Sequence, residues 1–223
     1  MLRIMTPACF CLTLAIPLST PVSAQTEAET QTLSRIIDTL CLDMVQALNG
    51  CETAVLLTSE TDPDAADLLI FSDRRGSEPQ SVLAVVRGIA YNGAWFGQSP
   101  VLEAGENGAL LVAEEQIAIG RTPWMQSLTI VHREGEFLVA GHTYSTYDRI
   151  VGGTFSCGVN LLTGDWVANA DRSNPETGAT TYDVSETGRV ARERRALADW
   201  SSGDLLSAPC EASLSAWFEA APE

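Results

Sequence analysis

Leu33, Ile36, Ile37, Leu40, Met44, Val45 and Leu48 recur at the i, i+3, i+4, i+7 spacing of one helical face. Thr26 and Glu29 stand in capping-box spacing ahead of them, and Gly50 suits a stop behind them. The spacing predicts a helix over 27–48 whose single apolar stripe, with Cys41 on it, must pack on something. Beyond it the period shortens to that of strands, over 53–58, 67–72, 81–87, 109–113, 127–133, 137–147, 154–162 and 165–169. Turn residues separate these runs: Asp62-Pro63-Asp64, Arg75-Gly76, Gly105-Glu106-Asn107-Gly108, Glu134-Gly135 and Thr163-Gly164. The arms flanking Glu134-Gly135 are rich in β-branched and aromatic residues, and predict a hairpin. Residues 171–207 are polar, with Asn174-Pro175-Glu176-Thr177-Gly178 and a basic patch of Arg189, Arg192, Arg194 and Arg195; irregular structure and weak edge strands are expected. Helical spacing returns over 209–219 through Cys210, Leu214, Trp217 and Phe218.

The fold class that follows is α+β and β-rich: an antiparallel sheet flanked by an N-terminal and a short C-terminal helix. Short connections imply a meander, with a partly closed barrel or a sandwich both open.

A different pattern leads the chain. Arg3 precedes an apolar run from Ile4 to Leu18, and Pro21-Val22-Ser23-Ala24 offers small residues at the positions a signal peptidase reads. The expectation is a signal peptide over 1–24, cleaved before Gln25, leaving 25–223 as a single disulfide-bonded domain with its β core over 53–170. Cys9 and Cys11 lie at the front of the apolar run, which disfavours lipidation, and no later stretch reaches the ~18 apolar residues of a membrane helix. A periplasmic or secreted location is expected.

Charge and cysteine content sharpen that picture. Residues 25–223 hold 29 acidic against 12 basic side chains, a net charge of −17, which argues against nucleic acid and anionic membranes. Every basic residue is arginine, so Walker A loops, Schiff-base chemistry and Ser-Lys nucleophiles are excluded. Cys41, Cys51, Cys157 and Cys210 remain after signal removal, an even number that predicts two disulfides. On a helix, Cys41 and Cys51 would lie about 12–15 Å apart, where bonded Cα atoms need less than about 7 Å. A 41–51 bridge is therefore disfavoured, and each of the two is expected to bond Cys157 or Cys210. No C-x-x-C spacing suggests zinc, and no cofactor is implied.

Candidate chemistry is sparse. The two histidines, His132 and His142, lie on opposite arms of the predicted hairpin. A two-residue turn sets His132 opposite Phe137 and His142 opposite Ser127, on opposite faces; a longer turn leaves them on the order of 13 Å apart, so neither lets them share a metal. Ser156 in Gly153-Thr154-Phe155-Ser156-Cys157-Gly158 lacks the G-x-S-x-G elbow of a nucleophile. Glu114-Glu115 is a carboxylate pair of the type glycosidases need, and Asp62, Asp64 and Asp67 form a D-x-D-x-x-D calcium candidate without the EF-hand glycine and glutamate. Recognition is better supplied: Trp95 and Phe96 in a Gly-rich loop, and Tyr144 and Tyr147 beside Asp148 and Arg149, are residue types that anchor partners.

Residues 119–148, IGRTPWMQSLTIVHREGEFLVAGHTYSTYD, and 157–164, CGVNLLTG, resemble a family of uncharacterised exported proteobacterial proteins with an I-G-R-x-x-W-x-Q-[ST]-L-T-I strand, a hairpin ending V-A-G-x-T-Y and a C-x-V-N-x-L-T-G turn. The resemblance spans roughly 65–170, implies compartment and fold, and singles out Gly120, Arg121, Trp124, Gln126, Tyr144, Asp148, Cys157 and Asn160. Three readings follow. A non-catalytic binding or accessory module, meeting a protein, peptide or glycan of the cell envelope through Trp95, Arg121, Trp124, Tyr144, Tyr147 and Asp148, ranks first. A periplasmic hydrolase built on a histidine is the alternative, and a calcium-stabilised structural domain the third.

Overall fold

The computed structural model describes residues 26–48, 50–73, 79–93, 98–174, 176–200 and 208–220. It divides into two units, Met1–Leu33 and Ser34–Glu223. In the first, Thr26 and Glu29 form the expected capping box, Thr26 N–H donating to Glu29 Oε2 and Glu29 N–H to Thr26 Oγ1, at 2.7 and 3.2 Å. The helix they start, α1 (Glu27–Leu33), is only seven residues long.

The second unit replaces the rest of the expected helix with strand β1 (Ile36–Leu42), which runs antiparallel to β2 (Glu52–Thr58). Leu40, on the helical stripe, also alternates with Leu42; both pack on the core while Thr39 and Cys41 face outward. Pairing with β2 decides between the two periods, a choice that local spacing cannot make. Met44 and Val45, expected on a helix, sit in the turn after β1 and donate their N–H groups to the buried Glu52 carboxylate at 2.8 and 2.9 Å.

Every named strand apart from β12 pairs with its neighbour in sequence wherever the two share a sheet. β1, β2, β3 (Ala65–Phe71) and β4 (Val82–Tyr91) make one antiparallel sheet. β5 (Val101–Ala104), β6 (Leu110–Gln116), β7 (Trp124–Arg133), β8 (Glu136–Tyr147), β9 (Thr154–Asn160), β10 (Asp165–Ser173) and β11 (Thr180–Arg189) make a second, and β12 (Arg195–Ala196) adds to β8. The expected meander is thus two open sheets rather than one, with no closed barrel among the described residues. Both contribute to one core: Leu56, Leu68, Ile70 and Val86 from the smaller, Leu110, Ile130, Val139, Phe155 and Val159 from the larger. Helix α2 (Ala208–Glu219) adds Cys210 and Trp217, near the bounds its spacing predicts.

The disulfides join Cys41 to Cys51 and Cys157 to Cys210, with Cα atoms 5.4 and 5.7 Å apart. This corrects the pairing expected from a long helix. A strand that turns straight back brings Cys41 and Cys51 within bonding distance, and no cross-link ties the N-terminal cysteines to Cys157 or Cys210.

The hairpin forms as expected on a two-residue turn, Glu134 and Gly135 both adopting positive φ, 53° and 82°. Arg133 pairs with Glu136 and His132 with Phe137. A bulge then intervenes: Ile130 pairs with Val139 but Thr129 with Gly141, leaving Ala140 extra in β8. His142 therefore stands opposite Leu128, not Ser127, and both histidines face the core side of β7 and β8. Their rungs, at His132 and at Leu128, still lie four residues apart along β7, so the two rings do not meet.

Candidate functional site

Loops 117–123 and 148–153 meet at the end of the large sheet where β6 and β8 finish and β7 and β9 begin. Asp148 is the post they share. Arg121 Nε donates to both its carboxylate oxygens, at 3.0 and 2.9 Å, and Arg121 Nη2 lies 2.7 Å from Oδ2. The Ile150 and Val151 N–H groups donate to Oδ1 at 2.9 and 3.1 Å, folding the loop around it. Burial opposes ionisation of Asp148, but the bonds from Arg121 and from the two backbone N–H groups outweigh it and hold its pKa down at about 2.

Arg149 stitches the same two loops from outside. Its backbone N–H donates to Arg121 O at 3.1 Å and its guanidinium donates to the carbonyls of Ile117 and Gly120, while its Cζ lies 5.8 Å from the Tyr147 ring centre. Among the described residues no carboxylate pairs with it. Around it Ile117, Ile119 and Ile150 are exposed, Ile150 to 69%. Gln98 Oε1 accepts the Ile117 N–H at 2.8 Å, so the base of the loop that carries Trp95, closed by a Gly93–Gln98 bridge, is tied to this rim. Trp95 and Phe96 themselves lie outside the described residues.

Behind the rim lies a cation that sequence reading missed. Arg172 is wholly buried, with Nε donating to Trp217 O at 2.8 Å, Nη1 to Gly152 O at 3.2 Å, and its guanidinium 4.0 Å from the Trp217 ring centre. Its Nη1 lies 3.5 Å from Asp148 Oδ2, so the post of the rim is also the counter-ion of the core arginine. Ala168, Ala170 and Arg172 alternate along β10, and following that alternation would have placed Arg172 at a core position.

The other singled-out residues scatter. Trp124 faces inward 6.1 Å from Tyr91, and Tyr144 packs 6.4 Å from Phe155, so neither joins Tyr147 on the rim. Asn160 Oδ1 accepts the Thr163 N–H at 3.0 Å and shapes a turn. Gly120 takes a positive φ of 82° in the 117–123 loop. Ser156 lies between the inward-facing Phe155 and Cys157, on the face opposite His142, so no Ser-His pair is assembled. Glu114 and Glu115 are neighbours on one strand and face opposite sides, which rules out their flanking one glycosidic bond. Asp62 caps its own turn by accepting the Asp64 N–H at 3.0 Å, whereas Asp67 is buried and engaged with Arg87 at 2.6 Å and Gly88 N at 3.0 Å. No group of three metal-ligating side chains comes together among the described residues.

One polar cluster lies deep in the body. Glu114, Gln126 and His142, all more than nine-tenths buried, line a small cavity with Trp200. Glu114 accepts from the Tyr91 N–H and from Gln126 Nε2. Burial pushes the Glu114 carboxyl pKa up, against those two bonds, and burial together with the nearby Arg195 charge pushes the His142 pKa down. No described helix is long and apolar enough to cross a membrane. Comparison with protein-family models, curated proteins and solved structures finds no match.

Proposed function

We propose that this chain is an exported, non-catalytic binding or accessory module of the cell envelope, and that it meets its partner through the rim of loops 117–123 and 148–153. The observation that carries the reading is the exposed set Ile117, Ile119 and Ile150 around Arg149, an arginine with no carboxylate partner among the described residues, in a chain of net charge −16. Exposed aliphatic side chains beside arginine are what a partner surface buries, and the Asp148 bonds set the rim in place before binding, which lowers the ordering cost. The signal-like segment at 1–24 and the two disulfides support export. The resemblance of residues 119–148 and 157–164 to exported proteobacterial proteins points the same way.

A thermal-shift panel of peptidoglycan fragments, envelope oligosaccharides and aliphatic–acidic peptides tests this, run on the oxidised protein and on Ile150→Asp. One probe class should raise the Tm of the parent and leave the variant unmoved. A shift of equal size in both would remove the rim from the reading, and turnover of any probe would replace the binding module with an enzyme.

A further inference from the structure

We propose that Glu114, Gln126 and His142 form a binding site for one internal water molecule, held between the inner face of β6, β7 and β8 and the segment that ends in Trp200. The cavity they line has a free volume of about 20 Å³, where a single water, counted the same way, needs on the order of 10–15 Å³. It is too small for an organic ligand and large enough for one solvent molecule. Three buried polar side chains would be an odd lining for a dry void; Ile89, Ala90, Val112, Leu128 and Trp200 supply the apolar wall.

The hydrogen-bond inventory fits one water. His142 Nδ1 is buried and has no partner among the described residues; in the tautomer that carries its proton on Nε2 it is an acceptor in want of a donor. Each Glu114 oxygen takes one bond, from Tyr91 N–H and from Gln126 Nε2, and keeps a second lone pair. Gln126 Nε2 has a second N–H beyond the one given to Glu114. A water that donates to His142 Nδ1 and to Glu114, and accepts from Gln126, makes the three bonds typical of buried solvent. Glu114, Gln126 and His142 come from three successive strands, so the site forms only once β6, β7 and β8 have paired. The bulge at Ala140 is what turns His142 into it, because without that extra residue the imidazole would point to the opposite face. The assignment also fixes the tautomer: with Nδ1 accepting, the proton sits on Nε2.

NMR of the oxidised protein labelled with ¹⁵N tests both statements. Cross-peaks of opposite sign in NOESY and ROESY, from water to the carbon-bound imidazole protons of His142 and to the Gln126 side-chain amide, are the expected signature of a long-lived water. The His142 ¹⁵N shifts should report Nε2 protonated and Nδ1 bare. His142→Phe should abolish the Gln126 cross-peak; if that variant does not fold, Gln126→Leu should abolish the His142 cross-peaks instead. Absence of long-lived water at both groups in the folded parent, a proton on Nδ1 in the neutral ring, or a Gln126 cross-peak that persists in folded His142→Phe would each overturn the site.

Discussion

Asp148 shows how one side chain can serve a surface and a core at once. Its carboxyl pKa of about 2 in the folded protein lies below the ordinary value of 3.8, so the unfolded chain binds its proton first as pH falls. The stability it contributes is complete above about pH 4 and is lost as pH falls toward 2, and by linkage amounts to about 2–3 kcal/mol. Asp148→Asn should therefore lower the unfolding free energy at pH 7 by at least that amount, since it also strips Arg172 of its counter-ion, and should flatten the acid limb between pH 4 and 2 in urea titrations. Asp67 makes a second case. It sits in β3 opposite a bulge in β4, where Gly88 takes a φ of 60°, and it satisfies the Gly88 N–H that the bulge would otherwise orphan. Asp67→Ala should cost about 1–3 kcal/mol in thermal or denaturant unfolding, the price of an unmet buried donor. Neither role is visible in sequence, because each depends on a partner twenty or more residues away.

At the scale of elements, what was legible is what local pattern controls. The hairpin about Glu134-Gly135, strands β2, β3, β7, β8 and β9, and helix α2 all lie close to their expected places. Ranges ran short for β4 and β10, and β5 was missed, its four residues being too few to establish a period. The long N-terminal helix failed because Leu33 to Leu48 fits two periods, and pairing with β2 was the deciding term. The disulfide pairing failed with it, having been argued from that helix. The candidate site was legible only in part: Arg121, Tyr147 and Asp148 do gather, Tyr144 and Trp124 turn inward, and Arg172, Ile117, Ile119 and Ile150 went unnoticed. The bridges make a further prediction. Cys157–Cys210 closes 53 residues and Cys41–Cys51 closes 10, so loop entropy assigns them about 4 and about 3 kcal/mol. Paired Cys→Ala variants should follow that order in Tm. Cys41 is exposed whereas Cys157 and Cys210 are buried, and thiol trapping under mild reductant should capture Cys41 and Cys51 first.

For the molecule as a whole, the two sheets of the Ser34–Glu223 unit bury their apolar faces in one shared core, so neither covers its own face alone. Near-UV and far-UV circular dichroism should therefore follow a single coincident melting transition; separated transitions would show that the four-stranded sheet can melt alone.

The sequential pairing of strands has a consequence for how the chain assembles. Within each sheet, every strand after the first finds its neighbour already made, so each sheet can grow from its N-terminal side, one hairpin at a time. The Cys41–Cys51 bond can close while most of the chain is still threaded through a ribosome or a pore. Arg172 is different: its carbonyl partner Trp217 arrives last, so the buried cation stays half-clothed until α2 docks and Cys210 reaches Cys157. Folding that begins at one end is thus finished, and made hard to reverse, by the other.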